Sequence, residues 1–168
     1  ISYCSDSNKG VTGIPVGVEK DSLNVRTLNV AKYMQHTITA MEFENVRVFG
    51  EMVIRQLANS LNKNVYVFDT EKAYKNLSSL VSYCDSNLND TFKQLSDFFL
   101  QMYDEFEKGS YDASALDKYG EYVCVIVGID KFKLLLGLQF NSIFGDMFVK
   151  IKAMPKVHLI LIDNVDNI

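Results

Sequence analysis

The residues with the greatest capacity for chemistry are Met41-Glu42-Phe43-Glu44-Asn45-Val46-Arg47-Val48. They join an apolar strand, His36-Thr37-Ile38-Thr39-Ala40, to a segment from about Glu44 that carries Val46, Phe49, Val53 and Leu57 at helical spacing. A strand running into a helix is where a phosphate-binding loop, G-x-x-x-x-G-K-S/T, would stand. Its glycines let backbone N–H groups turn inward around phosphates, which requires positive φ and no side chain in the way. Met41 and Val46 occupy the two glycine positions, and a β-branched valine is among the poorest residues for positive φ. Arg47 keeps the charge of the lysine with a longer planar head, and Val48 replaces the hydroxyl that would hold magnesium. Glu42 and Glu44 then set carboxylates at the helix N-terminus, where the dipole would otherwise favour phosphate. Either they supply the site's own anion or they are ordinary first-turn acids, and in both cases they repel a triphosphate.

The elements that must position this junction recur in a definite order. Gly13-Ile14-Pro15-Val16-Gly17-Val18 comes first, then the strand at His36. The run Tyr122-Val123-Cys124-Val125-Ile126-Val127-Gly128-Ile129-Asp130-Lys131-Phe132 follows, and last His158-Leu159-Ile160-Leu161-Ile162. In order and spacing this series resembles FtsK/SpoIIIE-type motor domains, and within them the degenerate last ATPase domain of the EssC-type coupling ATPases of type VII secretion in Firmicutes. The resemblance extends over most of the chain from Gly13 onward. It implies an α/β P-loop NTPase (RecA/FtsK-like) fold of three layers, with a mainly parallel sheet and an N-terminal β-hairpin. Residues 1–168 then read as one degenerate ATPase domain, a cytoplasmic fragment of a larger protein anchored in the cell membrane.

By position in that family, Asp130 falls on the Walker B aspartate and Lys131 on the glutamate that polarises the attacking water. A lysine ammonium cannot accept the water's proton and repels a neighbouring magnesium, so general-base hydrolysis is lost there. Asp130 by itself also fits a plain loop acid following an apolar strand. Active family members use ATP and magnesium; the two lesions together lead us to expect no cofactor, no metal and no catalytic residue here.

Composition fits a single domain. The 168 residues are 48% hydrophobic, enough for a sizeable core, and the net charge of −4 lacks the clustered lysine and arginine of a nucleic-acid binder. That acidity favours the protein-secreting branch of the family over its DNA-translocating members. Cys4, Cys84 and Cys124 have no metal-ligand spacing and are odd in number, so they read as reduced thiols. His36 and His158 each open an apolar strand and read as strand-entry residues. The polar start Ile1-Ser2-Tyr3-Cys4-Ser5-Asp6 is no signal peptide, and the missing initial methionine suggests an excised fragment. Phe132 to Val149 is apolar but interrupted by Lys133, Gln139, Asn141, Ser142 and Asp146, so no membrane contact is expected of this piece. Family domains continue beyond the His158 strand, whereas this sequence stops at Ile168; it is either truncated or has a shortened core whose sheet edge needs covering.

Further elements follow from pattern. Gly13–Val18 and Leu23–Asn29 read as a hairpin joined by Glu19-Lys20-Asp21-Ser22, and Asn64–Asp69 as a strand buried on both faces. Leu88, Phe92, Leu95, Phe99, Met102 and Phe106 recur at steps of four and three, a helix facing the sheet that Gly109 ends. Between Leu134 and Val149 the apolar content exceeds what one helix face needs. The segment is either a crossover helix buried under the sheet or a groove for another protein, with Leu135, Leu138, Phe140 and Phe144 as contact residues.

Three functions are compatible with these features. A catalytically inactive ATPase-like module would dock helical secreted substrates or regulate and assemble neighbouring ATPase domains of the same chain, with oligomerisation through the parent protein. The second is a weak, residual ATP-binding ATPase, and the third a structural scaffold.

Overall fold

The computed structural model describes residues 14–18, 25–28, 35–152 and 154–164, with side chains from residue 36 onward. Strands β1 (Ile14–Val18) and β2 (Val25–Leu28) pair antiparallel as the expected hairpin, with a register shift between Pro15 and Gly17. Its linker 19–22 lies outside the described residues, as does Cys4.

The main sheet has five strands, β3 (Gln35–Ala40), β4 (Val65–Asp69), β5 (Ser82–Cys84), β6 (Tyr122–Val127) and β7 (Val157–Asn164). They lie in the order β3-β7-β6-β4-β5, and every pairing is parallel. Parallel neighbours need crossovers, which place helices on both faces and bury the strands from each side. The side-chain period of two divides each strand between two cores. Val123, Val125 and Val127 of β6 face one core with Val65, Val67, Ile160 and Ile162, and Cys124 and Ile126 face the other with Phe68 and Leu159.

Helix α1 (Phe43–Leu61) covers the first face. It buries Val46, Gly50, Val53, Ile54, Leu57 and Ala58, one stripe at helical spacing. Phe49, expected on that stripe, lies at its margin and is partly exposed, because it stands one residue before Gly50 and is rotated off the sheet. Gly50 is required by close approach: a Cβ there would stand 2.3 Å from Tyr74 Oη and 2.9 Å from Ile162 Cδ1.

Helix α2 (Leu88–Lys108) covers the second face together with α3 (Ile129–Leu136) and α4 (Gly145–Ile151). All six residues of the expected aromatic stripe on α2 are buried against the sheet, which settles its role as core. Gly109 ends the helix, its N–H donating to Glu105 O at 2.9 Å. Phe92 meets Phe68 edge-on at 5.3 Å and Phe132 at 4.9 Å, joining α2, β4 and α3 through three rings. Between α3 and α4 the chain makes a π-helical turn, Phe140–Phe144.

Candidate functional site

The junction after β3 is shorter than a phosphate loop. β3 ends at Ala40, only Met41 and Glu42 intervene, and α1 begins at Phe43. Glu42 is extended (φ −114°, ψ 132°), its side chain caps nothing, and its carbonyl accepts the Asn45 N–H at 3.2 Å. Phe43 to Val48 are already helical, and among the described residues of β3, the turn and α1 none has positive φ. Helical backbone points its N–H groups along the axis rather than around a ligand, so this junction presents no inward-turned ring of N–H groups.

The side chains are placed accordingly. Val46 points into the core beside Val53 and Leu57. Arg47 lies along the helix surface, its Nε donating to both Glu44 carboxylate oxygens at 3.0 Å and its Nη2 to Glu44 Oε1 at 2.6 Å. Glu51 stands 3.7 Å from Arg47 Nη1 on the next turn. The hydrogen bond from Arg47 holds the Glu44 carboxyl below its ordinary range, and Glu44 raises Arg47 in return. The cation in the lysine position is thus held by the chain's own carboxylates. Met41 and Val48 project into solvent, 78% and 59% exposed.

The second expected site is displaced from the sheet. β6 stops at Val127, Gly128 turns the chain with φ 75°, and Ile129 starts α3. Asp130 therefore lies beyond the strand end, exposed in the first turn of α3: it follows an apolar strand, as the plainer expectation had it, but does not stand at the strand terminus that the family position implies. Lys131 donates to Glu71 Oε2 at 2.8 Å, across the crevice between the ends of β4 and β6. Thr70 closes the same crevice, its hydroxyl donating to Val127 O at 2.7 Å and Gly128 O at 3.2 Å. A Cβ on Gly128 would stand 2.2 Å from Thr70 Oγ1. Ligands of open α/β sheets bind outside the carboxyl ends of strands, and here Thr70 and the Glu71–Lys131 pair line that position.

The acids that do end strands are Asp69 and Asp163, both buried. Asp69 Oδ2 accepts from the Tyr74 N–H at 2.7 Å and the Tyr83 hydroxyl at 2.9 Å, and burial together with this carboxylate raises the Tyr83 pKa. Asp163 Oδ2 accepts the Ile129 N–H at 2.7 Å, and its Oδ1 accepts the Asn164 N–H at 2.8 Å. Each directly follows an apolar run, Val65-Tyr66-Val67-Phe68 and Leu159-Ile160-Leu161-Ile162, and that is the signal by which sequence reasoning could have found them. His158 does more than enter its strand: buried at the opposite end of the sheet, its Nε2 lies 2.9 Å from Glu121 Oε2. Among the described residues no group of His, Cys, Asp and Glu is arranged to hold a metal ion.

The four expected contact residues separate into two pairs. Phe140 and Phe144 are partly buried and stacked at 4.7 Å, and the ladder continues to Phe148 at 5.5 Å, so they are packing and not the wall of an open groove. Leu135 and Leu138 are exposed, Leu138 almost completely at 99%, with Leu134 beside them. A shallow depression of about 280 Å³ runs between Thr70, Lys131, Leu134 and Leu135. No single described helix is long and apolar enough to cross a membrane.

No protein-family model matches the sequence, and no curated protein matches it significantly. Solved structures match over nearly the whole chain. The cytoplasmic domain of EssC superposes with a TM-score of 0.77 at 12% identity, over 98% of this chain and 33% of that one. EccC from Thermomonospora curvata (ATPases 2 and 3), in complex with a signal sequence peptide, gives 0.63 at 13% identity, over 96% of this chain and 30% of that one. EssC from Geobacillus thermodenitrificans (ATPases 2 and 3) gives 0.61 at 12% identity, over 98% of this chain and 36% of that one. The chain spans about a third of the length of each. At this identity the likeness concerns fold: a parallel five-stranded sheet between helices, the fold of the ATPase domains in the type VII secretion proteins EssC and EccC.

Proposed function

We propose that this chain is a non-hydrolysing ATPase-like module of a type VII secretion motor, a cytoplasmic domain of a longer, membrane-anchored chain. It works by docking substrates or by regulating and assembling neighbouring ATPase domains. The observation that carries this reading is the junction after β3, where a two-residue turn and a helix starting at Phe43 replace the phosphate cradle and Glu44 holds Arg47. The Glu71–Lys131 contact across the β4–β6 crevice supports it independently, since the second catalytic position carries a cation already engaged. The solved EccC structure with a signal sequence peptide supports peptide docking as a task of this fold, and the exposed Leu135 and Leu138 are candidate contact residues.

The test is isothermal titration of the purified chain with Mg-ATP, paired with a thermal melt. A ligand at a hundred times its dissociation constant adds about 2.7 kcal/mol of stability. The expected result is neither heat nor a shift in Tm. Saturable binding that Arg47→Ala abolishes would overturn the proposal and make the chain a nucleotide-responsive switch.

A further inference from the structure

The face of the sheet opposite α1 is unevenly filled at its β5 edge. β4 and β5 pair with Tyr66 beside Ser82 and Phe68 beside Cys84, so these four side chains share the α2 side. The two from β5 are small. Helix α2 passes above them with Thr91, Gln94, Leu95 and Phe98, one stripe at helical spacing, and between this stripe and Tyr66 lies a cavity of about 160 Å³. Its walls are fixed by their own contacts. Phe98 meets Tyr122 edge-on at 5.3 Å and Tyr119 at 5.8 Å, Leu95 is buried, and the Thr91 hydroxyl bonds the Cys84 thiol. Among the described residues no charged side chain lines the cavity. The Tyr66 hydroxyl and the exposed Gln94 amide make no hydrogen bond with another described residue.

Volume, shape and polarity together specify an occupant. A cavity of about 150 Å³ in a protein interior holds one benzene molecule. The rings of Tyr66 and Phe98 offer edge-to-face and offset-stacked contacts to one more ring. A neutral lining excludes an ion, which would lose hydration with no opposite charge to replace it. Gln94 supplies a carbonyl and an amide N–H, and Tyr66 an O–H, for one polar substituent. We propose that the space between α2 and the β4–β5 edge binds one neutral aromatic ring carrying a hydrogen-bonding group, of the phenol or indole class, as a free molecule or as the side chain of a peptide. The cavity lies on the opposite layer of the sheet from the β3–α1 junction, so it does not depend on whether that junction takes a nucleotide.

The chain has no tryptophan, so with excitation beyond the tyrosine absorption the emission of an added indole reports on the ligand alone. The test titrates the full 168-residue chain into indole, and separately into N-acetyltryptophanamide. Saturable, blue-shifted emission with one site per chain is expected, with a dissociation constant on the order of 0.1 to 1 mM for so small a ligand. Binding of indole alone identifies the occupant as a free molecule, and binding of the amide identifies it as a side chain. p-Cresol should displace the bound indole more effectively than toluene, which has the same ring without the hydroxyl. Gln94→Phe sets a ring at the cavity mouth from an exposed helix position, and should abolish binding while leaving Tm close to wild type. Emission that rises in proportion to protein without saturating overturns the proposal. So does toluene competing as well as p-cresol, or a folded Gln94→Phe chain that binds indole as tightly as wild type.

Discussion

Asp163 and Ile129 join the end of β7 to the start of α3: the Asp163 carboxylate accepts the Ile129 N–H at 2.7 Å in a buried setting. The first N–H groups of a helix have no partner within it, and an ionised acceptor at that end also opposes the positive pole of the dipole. The same carboxylate holds the Asn164 N–H, so removing it leaves two backbone donors without this acceptor. Asp163→Ala should destabilise the fold by about 2 to 3 kcal/mol, the magnitude of a buried charge-assisted hydrogen bond. Urea denaturation would show this as a lower midpoint with an unchanged slope, and an unchanged midpoint would contradict it.

Gly50 and Tyr74 make a second buried contact with a measurable consequence. Glycine within a helix costs about 1 kcal/mol relative to alanine, so its place in the middle of α1 needs a steric cause. The cause is Tyr74, whose ring end occupies the space where a Cβ would lie, and whose hydroxyl is buried without a hydrogen-bond partner among the described residues. Gly50→Ala should therefore destabilise by about 1 to 3 kcal/mol despite the gain in helix propensity. Tyr74→Phe alone should be close to neutral, and in the Gly50→Ala background it should recover part of the loss. Equal losses in both backgrounds would show that Tyr74 is not the obstacle.

The Glu121–His158 pair sets a pH dependence. The hydrogen bond to His158 is the main cause holding the Glu121 carboxyl below its ordinary value of 4.5, against the opposing effect of burial. A carboxyl whose folded pKa is depressed adds stability that is fully present above its unfolded pKa. That stability is lost as pH falls through the folded pKa. Wild type should thus be more stable than Glu121→Gln at neutral pH, and the two should converge as pH falls below about 4.5. Melting curves from pH 3 to 7 would test this; a constant difference across that range would exclude the ionised carboxylate as the source.

Much of the fold was legible because its periodicities are strong. The steps of four and three from Leu88 to Phe106 defined α2 and its buried face, and the apolar runs at Val65, Tyr122 and His158 marked β4, β6 and β7. The site was less legible, for reasons of local backbone geometry. Gly128 sits between Val127 and Ile129 in an uninterrupted apolar run, so nothing in hydropathy showed that its positive φ ends the strand there and carries Asp130 away from the sheet. Asp163 passed unnoticed because its partner, the Ile129 N–H, is 34 residues distant in sequence and is brought close only by the β6–β7 pairing. Phe140 and Phe144 were read as candidate surface because a ring ladder depends on the π-helical turn, which leaves no signature in apolar spacing.

The two displaced motifs also predict how the chain responds to attempts at repair. Lys131→Glu would restore a carboxylate at the general-base position, but that residue lies on α3, beyond the end of β6, and faces Glu71 across the crevice. The variant should gain no ATP hydrolysis above background in a phosphate-release assay. Because it replaces an exposed ion pair with a repulsion, its stability should fall by no more than about 1 kcal/mol. Adding glycines at Met41 and Val46 with Arg47→Lys and Val48→Thr should also fail to produce turnover, since Val46 is part of the core and its loss loosens α1. Its cost in stability should be about 2 kcal/mol or more, from the lost valine side chain and a glycine inside the helix. Measurable turnover in the Lys131→Glu variant alone would mean that the β3–α1 junction reopens when nucleotide binds, and the proposed absence of hydrolysis would then rest on Lys131 and not on the missing cradle.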